Sequence, residues 1–145
     1  MKPLKQENQL SADLCTALNR LRDNGVFPAV FFHVPNEFKP TKNFFAAWAI
    51  KKAIGCVSGA PDWVIIWSGG ALLVELKAKK TIKAALNAMS DDQCAFARLC
   101  ERYGIAYETH ITVKEVLDSL HRRGAFRDQD YQKPLSETPN TSPIS

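Results

Sequence analysis

Residues 61–77, PDWVIIWSGGALLVELK, decide the reading of this chain. Two short apolar runs rich in Val, Ile, Leu and Trp flank Ser68, Gly69 and Gly70, and this pattern predicts a β-hairpin. The hairpin opens on Asp62 and closes on Glu75-Leu76-Lys77. Side chains alternate along a strand with period two, so any loop with an even number of residues puts Asp62, Glu75 and Lys77 on one face. With Ser68-Gly69 as the turn, Trp67 pairs with Gly70 and Asp62 stands opposite Glu75. With Gly69-Gly70 as the turn, Asp62 faces Lys77. A three-residue loop without a bulge would send Asp62 to the other face.

Working outward, Leu10, Leu14, Leu18 and Leu21 recur at helical spacing, predicting an amphipathic helix from about Glu7 to Asn24 that stops at Gly25. Ala29 to Val34 is β-branched and aromatic between Pro28 and Pro35, and reads as a strand. The polar loop NEFKPTKN follows. A second helix is expected from Asn43 to Ile54, its C-terminal Lys51 and Lys52 favoured by the helix dipole. Phe44, Phe45, Trp48 and Ile50 make it apolar on more than one side. Burial in the core is the simpler expectation, and contact with another subunit the alternative.

After the hairpin, KAKKTIKAALNAM reads as a lysine-rich loop. Ser90-Asp91-Asp92-Gln93 forms a capping box for a third helix reaching Tyr103, with Phe96, Leu99, Cys100 and Tyr103 on one stripe. A strand over Ile105–Ile111 and a helix capped at Thr112 and carrying Val113, Val116, Leu117 and Leu120 complete a domain over residues 1–124. Residues 125–145, polar and rich in Pro, Ser and Thr, are expected to be a disordered tail. The order predicts an α/β fold, a mixed central sheet with helices over its faces.

Composition narrows the classes. The 145 residues, 46% of them hydrophobic, suit one globular domain. No apolar run is long enough to span a membrane, and MKPLKQENQL lacks a secretion-signal core, so the expectation is a soluble, cytoplasmic protein without a membrane partner. The four cysteines, Cys15, Cys56, Cys94 and Cys100, include no Cys-x-x-Cys pair and read as buried free thiols rather than a zinc site. The formal charge is +4, and leaving out the last eighteen residues gives 18 basic and 12 acidic residues, a body of +6. A basic body is compatible with a polyanionic partner. No Walker loop, dinucleotide glycine fingerprint or GxSxG elbow occurs.

Facing carboxylates repel, and a hard divalent cation relieves that repulsion. Magnesium takes oxygen ligands, commonly one or two carboxylates, and leaves its other positions to water and phosphate oxygens. Such a site polarises a phosphodiester, and a neighbouring lysine stabilises the negative charge that develops.

Pro61-Asp62 followed by Glu75-Leu76-Lys77 resembles the PD-(D/E)XK signature of restriction-endonuclease-like nucleases. Within that superfamily the chain is most similar to the small VRR-NUC domains of phage, bacterial and some eukaryotic repair proteins. The likeness runs from about residue 7 to 120 and takes in Glu7, Val34-Pro35-Asn36, Gly55, Gly59-Ala60-Pro61-Asp62, Glu75-Leu76-Lys77 and Ser90-Asp91-Asp92-Gln93. The resemblance implies a metal-dependent DNA endonuclease of restriction-endonuclease-like fold, selective for branched or Holliday-junction-like DNA, using Mg or Mn and working as a homodimer.

It also implies that Asp62, Glu75 and the Leu76 carbonyl hold the metal, with Lys77 as the catalytic lysine and Gln93 beside the site. Glu7 is a weaker metal candidate, with Glu37 as its rival. Gln93 is expected to serve either the site or the capping box, the two roles excluding each other in one rotamer. Lys79, Lys80, Lys83, Lys51 and Lys52, with Arg98, Arg102, Arg122 and Arg123, are candidate backbone contacts for DNA. The lysine-rich loop departs from the shorter, glycine-rich link common in the family. The competing expectation is a catalytically silent nuclease-like module that binds DNA or a replication or repair partner.

Overall fold

The computed structural model describes residues 5–35 and 44–126. The loop NEFKPTKN, with Glu37, and the tail from residue 127 lie outside them. In chain order the elements are α1 (Gln6–Asp23), β1 (Ala29–His33), α2 (Phe44–Ala53), β2 (Trp63–Trp67), β3 (Gly70–Leu76), α3 (Ile82–Asn87), α4 (Asp91–Arg102), β4 (Tyr107–His110) and α5 (Val113–Arg122).

The strands form one mixed sheet in the order β1-β2-β3-β4. The first three run antiparallel, and β4 lies parallel to β3. A parallel neighbour requires a crossover, and α3 and α4 supply it. Trp67 pairs with Gly70, so the hairpin turn is Ser68-Gly69, the even count that brings the three charged residues to one face. The Trp67 ring lies over this turn, and a Cβ on Gly70 would sit 3.0 Å from it. A side chain there would require the ring to shift by a few tenths of an ångström.

The core lies on the face carrying Trp63, Ile65, Leu72 and Val74, packed against Leu14, Leu18 and Leu21 of α1 and Val116, Leu117 and Leu120 of α5. These helix residues follow the i, i+3, i+4, i+7 spacing that forms an apolar stripe. Ala125 and Phe126 are buried too, with Phe126 edge-on to Phe27 at 5.0 Å, so the packed body continues past Gly124. On β4, Glu108 points to α5, where Ser119 bonds it, while its neighbour Tyr107 contacts Phe96 of α4. Adjacent strand residues face opposite ways, so helices cover both sides of the sheet.

Three expectations need correction. The stretch KAKKTIKAALNAM, which reads as a lysine-rich loop, contains α3, capped by the Thr81 hydroxyl accepting from the Ala84 amide at 3.1 Å. Its six residues make fewer than two turns, too short for periodicity to reveal them. Second, α2 is not buried in the core: Phe45 is 84% exposed, and Ile50 is also exposed. Its apolar composition cannot tell a face packed within the chain from one left open. Third, only Cys100 among the four free thiols is buried, and Cys56 is exposed. Among the described residues, no helix is long and apolar enough to cross a membrane.

Candidate functional site

Asp62 is fixed from both sides. Its carbonyl accepts the Val34 amide of the β1 side at 2.7 Å, and its Oδ2 accepts the Leu76 amide of β3 at 2.8 Å. The pairing of Trp63 with Val74, carried one step outward, sets Asp62 across from Glu75. Glu75 is 2% exposed. Its Oε1 receives Lys77 Nζ at 3.2 Å and Gln93 Nε2 at 2.5 Å, whereas Oε2 is buried with no hydrogen-bond partner.

These positions set the electrostatics. Burial, reinforced by the Asp62 charge and only partly offset by Lys77, pushes the Glu75 carboxyl from 4.5 to about 7. Asp62 is also raised, mainly by burial, against the lowering effects of the Leu76 hydrogen bond and the His33 and Lys77 charges. Two adjacent carboxyls thus sit where ionisation is costly. A buried acceptor left without a donor carries a desolvation cost of about 1–3 kcal/mol, more when charged, and a cation on that side would remove it.

The donors suit a hard divalent ion. Asp62, Glu75 and the Leu76 carbonyl would supply oxygen only, and Glu75 Oε2 is buried without a hydrogen-bond partner. Among the described residues no group of three or more His, Cys, Asp or Glu side chains is placed to hold a metal. Two carboxylates are a set that magnesium can take when water and phosphate complete its shell.

Gln93 corrects an assumed exclusion. Its Oε1 accepts the Ser90 amide at 2.9 Å while its Nε2 reaches Glu75, so one rotamer closes the capping box and touches the site. An amide has an acceptor end and a donor end, and here each has its own partner. The Ser90 hydroxyl completes the box by accepting the Gln93 amide at 3.2 Å. Gly59 permits the close approach behind this arrangement: with φ +78°, a Cβ there would lie 2.3 Å from the Asp92 carbonyl.

A cleft of about 680 Å³ lies over Asp62, Glu75, Lys77 and Gln93, and Glu7 and His33 also line it. Glu7 is exposed on the first turn of α1, and its charge contributes to raising Asp62. Lys79, Lys80 and Lys83 are exposed on the chain leaving Lys77, whereas Lys51 and Lys52 lie on α2. Arg123 is committed elsewhere, donating to Glu108 at 3.2 Å.

His33 and Tyr107 were not singled out from sequence. His33 comes to the cleft because β1 pairs it with Trp63. Tyr107 pairs with Leu73, two residues before Glu75, and its hydroxyl is buried without a partner. Burial, then the charges of Glu75 and Asp62, raise that hydroxyl above the ordinary tyrosine range. Strand alternation assigns either residue a face but not its neighbours.

In comparisons with known proteins, no family model, curated protein or solved structure matches the chain.

Proposed function

We propose that this protein is a metal-dependent deoxyribonuclease of the PD-(D/E)XK, restriction-endonuclease-like superfamily, VRR-NUC type, that hydrolyses phosphodiester bonds in branched DNA. The observation that carries the reading is the buried Glu75 carboxylate, with one oxygen unpartnered, beside Asp62 and Lys77 at the end of a hairpin. A buried, incompletely satisfied carboxylate beside a second one lowers stability, and perturbed groups of this kind collect at functional sites.

In this reading Asp62, Glu75 and the Leu76 carbonyl hold Mg or Mn, which supplies Lewis acidity toward the phosphate and its attacking water. Lys77 steadies the charge that accumulates on the phosphate oxygens as the water oxygen bonds to phosphorus and the ester oxygen departs. Gln93 keeps Glu75 in place, a positioning role. Glu7 and His33, at the rim of the cleft, flank the incoming strand. Lys79, Lys80 and Lys83 contact the DNA backbone, giving affinity without sequence information. Two copies associate through the exposed apolar side chains of α2, placing two sites on one branched substrate.

The test is incubation of supercoiled, linear and four-way-junction DNA with Mg or Mn, using the native chain and Asp62→Ala. Cleavage that depends on metal and on Asp62 supports the reading. Cleavage that survives the substitution sinks the site, and tight DNA binding without any cleavage makes the chain a binding module.

A further inference from the structure

Gln93 also lines a second and larger cavity of about 740 Å³. Its size falls within the roughly 300–1,000 Å³ of small-ligand clefts. Trp48 and Phe96 give it aromatic walls, Val64 and Leu73 give it an apolar floor, and Ser90 and Asp92 bring polar groups from the start of α4. The space exists because α2 barely packs onto the sheet. Of the α2 side chains described, Trp48 alone is half-buried.

The cavity adjoins the candidate active site. Gln93 and Pro35 line both spaces, and Gln93 touches Glu75 directly. A nucleotide whose phosphate sits at Asp62 and Glu75 therefore has its neighbour at the cavity mouth. Lys51 lines that cavity and Lys52 stands 5.6 Å from the Trp48 ring, so cations attend the aromatic wall where a sugar-phosphate strand would pass. Flat apolar surface, hydrogen-bonding groups at one end and flanking lysines are together the chemistry of a base leaving its stack.

We infer that the cavity between α2, α4 and the sheet receives one unstacked base of the DNA strand being cut, next to the scissile phosphate, with Trp48 as its stacking platform. The inference rests on the nuclease reading and adds to it a subsite that selects strands able to release a base, such as those at junctions and flaps. A continuous, fully paired duplex would have to pay for unstacking first, which gives structure selectivity a physical source.

The experiment measures binding of junction and flap DNA by fluorescence anisotropy without divalent metal, so that no strand is cut. A single abasic nucleotide is moved along the strand, one position at a time. At one position next to the cut, loss of the base should weaken binding by about 5- to 150-fold, the range that one base stacked on an aromatic side chain supplies. In Trp48→Ala, and in Cys56→Trp, which fills the cavity from its exposed lip, that position should no longer matter; thermal melting verifies that each variant folds.

Equal affinity at every abasic position, or a penalty unchanged in both variants, overturns the inference. If Asp62-dependent cleavage persists alongside that result, only the base subsite is wrong. If there is neither binding nor cleavage, the subsite and the nuclease reading both fall.

Discussion

Glu75 has two partners on one oxygen and none on the other, and that imbalance makes a prediction that needs no substrate. Its raised folded value means that the folded protein holds more protons than the unfolded chain between about 4.5 and 7. Stability therefore falls as pH rises through this window, and the penalty is complete above it. Glu75→Gln keeps the volume and an oxygen for Lys77 and Gln93 while removing the charge. In metal-free urea titrations the variant should gain on the native chain from pH 4.5 to 8, by on the order of 1–3 kcal/mol. Saturating Mg or Mn should raise the Tm of the native chain and leave the variant's unchanged. A difference between the two proteins that is flat with pH would mean that Glu75 is not under electrostatic strain.

Glu108 shows the opposite case. Hydrogen bonding from His110, ahead of Ser119 and Arg123, draws its carboxyl down to about 2 despite partial burial. Its stabilising contribution is present above the ordinary value of 4.5 and is lost only as pH falls through about 2. The two glutamates differ in how far their oxygens are satisfied, which is why burial wins at Glu75 and hydrogen bonding wins at Glu108.

At the scale of elements, the start of α4 holds the site and the helix with one side chain, and the two contributions can be separated. Ser90→Ala removes the acceptor for the Gln93 amide and should cost about 0.5–2 kcal/mol of stability, with cleavage nearly retained because Gln93 still reaches Glu75. Gln93→Leu loses the cap and the contact with a charged group, worth about 1.5–3 kcal/mol, or roughly 10- to 150-fold in rate if expressed at the transition state. Equal loss of activity in both variants, tracking their loss of stability, would reduce Gln93 to a helix cap.

How much of this was legible follows from range. The hairpin register depends on the seventeen residues quoted at the outset and could be counted, and both capping boxes, Ser90 to Gln93 and Thr112 to Glu115, are local. His33 and Tyr107 reach the site through pairing between distant strands, which periodicity does not specify. Gly59 was part of a motif without a cause until its closeness to Asp92 supplied one.

The whole molecule leaves a conspicuous apolar surface: Phe45 and Ile50 on α2, with Val30 and Phe32 on the edge strand β1, are exposed. Exposed apolar patches and open strand edges favour association. The sequence showed that α2 is apolar but not what covers it, since nothing local to a helix records its neighbours. If two copies cover these surfaces, sedimentation should give twice the 16.2 kDa of one chain. Phe45→Lys with Ile50→Lys should return it to a monomer. A native chain that stays monomeric at micromolar concentration would leave α2 without the proposed role.

The central claim is that three charges brought together by a two-residue turn form a phosphodiester-cleaving centre. It is tested most directly by incubating four-way-junction, linear and supercoiled DNA with Mg or Mn and comparing the native chain with Asp62→Ala. The account predicts metal-dependent cleavage, strongest on the junction, that Asp62→Ala abolishes while the variant keeps its fold. Cleavage that persists in Asp62→Ala, or no cleavage of any substrate by the native chain, would contradict it.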